Sequence, residues 1–178
     1  MTLPLLRAGA ILWLLASSPG CVSQFAITQP LEANFPRPLV VSIGDIGVAV
    51  PLDTQAGKKP GQEELQMFER FLYQELAKAG IPMAQPGAKN PATLQVQGSL
   101  IEFKRGNGFA RFFVGPVAAA SVTANLRLVE PDSGRVVFAG NFVGVVAGWS
   151  FGEEAFRRAA TGFAAALLLE FENRRQVL

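Results

Sequence analysis

A chain of 178 residues fits one domain large enough to bury a core. With 49% hydrophobic and 17% charged residues it is not a disordered chain, and a net charge of +2 with scattered basic residues gives no footprint for nucleic acid. There is no histidine and only one cysteine, which excludes His-based triads, His-ligated zinc, Cys₄ metal sites and an intrachain disulfide.

Arg7 precedes an apolar run, Ala8 to Ala16, far shorter than the roughly 20 residues that span a hydrocarbon layer. A charged start, a short apolar middle and small residues after it predict a signal peptide over 1–20. Gly20 directly before Cys21 looks like a lipobox, where lipoprotein maturation attaches diacylglycerol to the sulfur and cleaves before the cysteine. Ser18 holds the place where a lipobox usually carries an aliphatic residue. The alternative is ordinary secretion with cleavage after Ser18, which leaves the lone thiol unexplained. Acylated Cys21 would be the lipid attachment site, and each buried CH₂ contributes roughly 0.8 kcal/mol of membrane affinity. Val22, and not Asp, follows the cysteine, which by resemblance to enterobacterial lipoproteins favours the periplasmic side of the cell outer membrane.

From residue 21 to 38 the breakers Pro30, Asn34, Pro36 and Pro38 and the lack of an apolar period predict an extended tether, with one globular domain over 39–178. The first strand is expected from Leu39 through Val50, with a bulge or turn at Gly44 and Gly47, and Asp45 reads as a turn residue. After a polar loop from Asp53 to Gly61, Leu65, Phe68, Leu72, Leu76 and Ala79 recur at helical spacing, with Gly80 and Pro82 as the stop. A short strand over Ile81–Ala84 and a loop over Gln85–Pro91 follow. Thr93 to Arg105 predicts a strand whose apolar phase shifts near Gly98, where a bulge is expected. Arg105-Gly106-Asn107-Gly108 has hairpin-turn chemistry. Ser121–Val129 and Arg135–Val146 alternate around Pro131-Asp132-Ser133-Gly134 and form a hairpin. Ser150 and Glu153 suit a capping box for a last helix with Phe156, Ala160, Phe163 and Leu167 as its buried stripe, and Arg174 and Arg175 near its end. The sum is an α+β fold: a mixed or mostly antiparallel sheet of four to five strands with two helices packed on one face.

Between residues 94 and 171 several features occur in order. They are Gly98 within the strand Leu94–Phe103, Arg111 and Gly115, the run Ala118-Ala119-Ala120-Ser121, the strand Val122–Leu128, the turn Asp132-Ser133-Gly134, a second strand and an alanine-rich helix. In this the chain resembles a bacterial family of exported lipoproteins, domain of unknown function 4410. The resemblance implies an exported, lipidated α/β-type domain and no activity.

The stretch from Gly106 to Ser121 is the most unusual, with Phe109, Arg111, Phe112 and Phe113 ahead of glycine, proline and alanines. It reads either as a strand with a wide bend under the last helix or as a partner-docking loop, with Arg111 and Phe112 as anchors. Gly106-Asn107-Gly108 lacks the Lys-Ser/Thr pair of a phosphate cradle. Glu153 and Glu154, adjacent on a helix, point different ways and serve its N-terminal end. No paired acids, nucleophile, metal or cofactor is implied. The expected function is a non-catalytic, membrane-anchored periplasmic module for binding or envelope assembly. Its partners would be the lipid bilayer and an envelope protein, and the sequence sets no oligomeric state. A second reading is a subunit of an oligomeric outer-membrane secretion channel, similar to the curli secretion lipoproteins, since Phe109–Leu128 and Arg135–Gly148 each exceed the 9–11 residues of a crossing strand.

Overall fold

The computed structural model describes residues 21–32, 40–49, 60–84, 94–104, 120–146 and 152–175. Residues 1–20, expected as a signal peptide, residues 50–59 and 85–93, the expected turn 105–108, the stretch 109–119 and Ser150 lie outside the described residues. Five strands and two helices follow in chain order: β1 (Cys21–Gln29), β2 (Val41–Val48), α1 (Gln62–Lys78), β3 (Leu94–Lys104), β4 (Ala120–Val129), β5 (Val136–Val146) and α2 (Gly152–Arg175). The strands make one sheet in the order β1-β5-β4-β3-β2, antiparallel except for the parallel β2–β3 pair. The expected α+β class holds.

Helix α1 forms where its apolar period requires. Phe68, Phe71, Leu72 and Leu76 are buried, and the Glu64 carboxylate accepts the Gly61 N–H at 2.9 Å to cap the start. Its end is a Schellman motif: Gly80, at φ 75°, donates to Ala77 O, and Ile81 donates to Leu76 O. Beyond it Met83 bridges Val41 in parallel, the remnant of the short strand expected there.

The β4–β5 hairpin is as expected. Val122, Ala124, Leu126 and Leu128 are buried together with Phe138, Phe142 and Val146. Helix α2 covers this face along β5, β4 and β1, and α1 packs beside it. Phe163 meets Phe142 edge-on with ring centres 5.1 Å apart, and Phe156 joins Phe103 of β3 (4.8 Å) to Phe68 of α1 (6.1 Å). The apolar faces of β4 and β5 are thus part of the domain's own core, which argues against lending these strands to a shared barrel.

Two expectations change. Residues 21–29, expected as a tether, form the edge strand β1, paired antiparallel with β5 from Cys21↔Val146 to Gln29↔Ala139. Phe25 and Ile27 pack against the core because strand alternation turns them to the helix side. Pro30 directly behind them ends the strand; it does not prevent it. The bulge of β3 falls at Ile101, between the pairs Leu100↔Ala124 and Glu102↔Thr123, and not at Gly98. Gly98 serves close approach: a Cβ there would lie 2.1 Å from the Asn125 carbonyl oxygen. In β2 the expected irregularity is present, since Ile43 pairs with Val96 and Ile46 with Gly98, so Gly44 and Asp45 form the bulge.

Candidate anchoring site and the open sheet face

Cys21 is the first residue of β1, opposite Val146 of β5, which pairs in turn with Ala120 of β4. The next row runs Val22, Val145, Ser121, Lys104. Two residues after the cysteine the strand is already fastened to α2: the Ser23 hydroxyl donates to Arg158 O at 3.0 Å. Phe25 then lies 6.3 Å from Phe142, ring to ring. At the other end of β1, the Gln29 amide donates to Val136 O at 2.7 Å, and the Leu31 N–H donates to the Glu170 carboxylate at 3.2 Å.

The expected docking residues Phe109, Arg111, Phe112 and Phe113 lie outside the described residues. The segment that carries them joins the sheet at Lys104 and Ala120, the end that Cys21 marks.

The sheet face away from the helices carries polar side chains beside Val143 and Val145 of β5. Across it the Asn125 amide donates to Asn141 Oδ1 at 2.9 Å, Gln97 donates to Gln95 Oε1 at 2.9 Å, and Arg127 reaches Gln97 Oε1 at 3.4 Å. Alternation in β4 set these residues opposite the core; the same alternation, Ser23-Gln24-Phe25-Ala26-Ile27-Thr28, was the one signal in the sequence for β1.

At the pole away from Cys21, Arg135 pairs with Glu130 and, at 2.8 Å, with Glu32. The hydrogen bonds from Arg135 and then Ser133 hold the Glu130 carboxyl below its ordinary range, and the bond to Glu130 raises Arg135. Glu69 is the opposite case: partial burial and then the charge of Asp45 hold its carboxyl above the usual range. These two acids sit on α1 and at the β2 bulge. Among the described residues no group of three His, Cys, Asp or Glu could hold a metal ion, and no buried residue is polar or charged. No helix among them is long and apolar enough to cross a membrane.

No protein-family model matches the chain, and no curated protein matches it. Its fold is nevertheless shared with solved structures. A point variant of the PelC dodecamer from Paraburkholderia phytofirmans superposes with a TM-score of 0.54 at 12% identity, over 82% of this chain and 98% of that one. The PelC dodecamer in another crystal form gives 0.52, also at 12% identity, over 80% and 98%. A DUF330 protein from Xanthomonas campestris gives 0.53 at 13% identity, over 85% of this chain and 96% of that one. The chain thus has the fold of these proteins, each of which it covers almost from end to end.

Proposed function

We propose that this protein is a lipoprotein of the bacterial outer membrane, facing the periplasm, which acts without catalysis as a binding or assembly module of the envelope. Its anchor is acylated Cys21, and it belongs with the exported lipoproteins of domain family 4410. One observation carries the reading: the chain's only cysteine directly follows an export-type segment and is itself the first residue of strand β1. A lone thiol there has no second cysteine in the chain for a disulfide, whereas an acyl anchor needs a cysteine at the start of the mature chain. The fold is shared with the subunit of the PelC dodecamer, which makes self-assembly the first association to measure.

The docking segment is Phe109, Arg111, Phe112 and Phe113, which joins the sheet at the anchored end. Its partner is an envelope protein at the membrane surface.

Growth with labelled palmitate tests the anchor. Label is expected in the wild type and not in Cys21→Ala. Equal labelling of both, or a natural product that begins upstream of Cys21 without an acyl mass, overturns it. A photo-crosslinker in place of Phe112 should capture one envelope protein in intact cells; capture at background level removes the docking segment from the proposal.

A further inference from the structure

We propose that the outer edge of β1 pairs, antiparallel, with the same strand of a second copy of this chain, so that two five-stranded sheets join into one. The pairing does not depend on acylation of Cys21. β1 is an edge strand: β5 takes one side of it, and among the described residues no strand pairs with the other. Alternate residues along that free side turn both N–H and C=O outward, a template for another strand. The strand has no charged residue and no proline from Cys21 to Gln29, and its pairing with β5 is regular as far as Ile27. The opposite edge of the sheet is guarded. There the Val41 N–H donates to Pro82 O and the Ala84 N–H to Val41 O, both at 2.8 Å, and the β2 bulge that follows carries the exposed charge of Asp45. A sheet guarded at one edge and bare at the other adds a strand at β1, so the pairing closes at two copies and does not run on into a filament.

Side chains select a second copy as the occupant. A two-fold axis through Phe25, normal to the sheet, overlaps the whole strand and keeps both helix layers on one face. On the helix side Phe25 then meets the partner's Phe25, and Ser23 meets the partner's Ile27. Phe25 and Ile27 are only partly buried within one chain, and the pairing completes their cover. On the other side exposed Gln24 lies opposite the partner's Ala26, which is exposed as well. Nowhere along the ladder does a charge stand opposite a charge. The charges that flank its ends are compensated or opposite in sign. Arg158, whose carbonyl takes the Ser23 hydroxyl, pairs with Glu154 at 3.0 Å, and Glu32, just past the strand, pairs with Arg135 at 2.8 Å. Glu170, which accepts the Leu31 N–H, comes toward the Arg158 end of the partner. The two Cys21 residues stand at opposite ends of the pair, about 26 Å apart along the strands. A two-fold axis normal to a membrane holds both at one height, so pairing and anchoring are compatible.

Crosslinking of the full chain in intact cells tests the interface and its register. Gln24→Cys and Ala26→Cys, both at exposed positions, are expressed together on differently tagged copies. Facing strand positions lie within the Cα span of a disulfide. Under oxidising conditions the mixed pair should yield a covalent dimer several-fold more abundant than either variant alone. The wild type should yield none, since its Cys21 residues are too far apart to bridge. Native mass spectrometry of the wild type should give twice the mass of one chain. Gln24→Lys with Ala26→Lys sets like charges opposite each other across the edge, and should weaken the dimer roughly tenfold with the circular dichroism spectrum unchanged. A wild type that keeps the mass of one chain at every concentration overturns the proposal. So does a dimer in which positions 24 and 26 do not join, or one that the lysines leave intact. Crosslinking of these positions to another protein, with no dimer, gives the edge a different occupant and overturns it too.

Discussion

Gly144 of β5 lies so close to α2 that a Cβ on it would sit 2.0 Å from the Ala155 carbonyl oxygen and 2.7 Å from the Ala159 nitrogen. Both atoms are backbone, so neither can swing aside. The contact explains the alanine spacing of the helix: Ala155, Ala159 and Ala160 are fully buried because α2 lies almost on the strand. Gly144→Ala should therefore destabilise the domain by at least the roughly 1–3 kcal/mol of ordinary overpacking, or prevent folding. Urea unfolding followed by circular dichroism measures it; a variant within experimental error of wild type would mean that α2 is set farther from β5.

Gly162 gives the opposite forecast from the same helix. Its nearest neighbours to a built Cβ are Ser23 Cβ at 3.8 Å and the Gln24 carbonyl and Phe142 ring at 3.9 Å, ordinary contact distances. Gly162→Ala adds a methyl group where there is room and removes a helical glycine, which costs roughly 0.5–1 kcal/mol relative to alanine. A raised denaturation midpoint is expected. A lowered one would show that β1 sits closer to the helix than these distances allow.

Phe163 is the aromatic centre of the sheet–helix layer, within 5.1 Å of Phe142 and 6.0 Å of Phe138, ring to ring. Phe163→Ala should cost about 3–5 kcal/mol, the usual range for a buried aromatic side chain. Leu168, on the same helix but 38% exposed, should cost well under half as much on truncation to alanine. Comparing the two unfolding curves checks whether the core lies where the structure puts it.

These contacts also show what could be read from the sequence. Helix α1 was legible because its period and its Gly80–Pro82 stop are local, and the β4–β5 hairpin because alternation and turn lie side by side. Strand β1 was not, since nothing within 21–38 shows that β5, more than a hundred residues later, will accept its edge. Phe25 and Ile27 are only partly buried, so their apolar alternation is weaker than that of a central strand. Gly98 marked a real constraint but of another kind, because the backbone approach of Asn125 is a tertiary fact and the bulge at Ile101 has no glycine to announce it. For the site, a lone cysteine behind a short apolar run was visible in the sequence, and its place at the head of a paired strand was not.

The far pole gives a prediction in pH. Glu130 is held below its ordinary carboxylate range by hydrogen bonds from Arg135 and Ser133, so the folded state favours its ionised form. A depressed carboxyl contributes stability that is fully present above its unfolded pKa and is lost as pH falls through the folded one. Acid should therefore weaken the β4–β5 turn as the pH drops from about 5 through the carboxylate range. Arg135→Gln removes the cation that pairs with both Glu130 and Glu32. Its melting temperature should fall less steeply than that of the wild type as the pH drops through that same range. Glu69→Gln should act in reverse. Burial and Asp45 disfavour its charge, so the folded state carries a cost at neutral pH that fades as Glu69 protonates. That variant should be as stable as the wild type or more so at neutral pH and should converge with it in acid. Parallel acid limbs for wild type and Arg135→Gln in thermal melts would remove Glu130 as the responsible group.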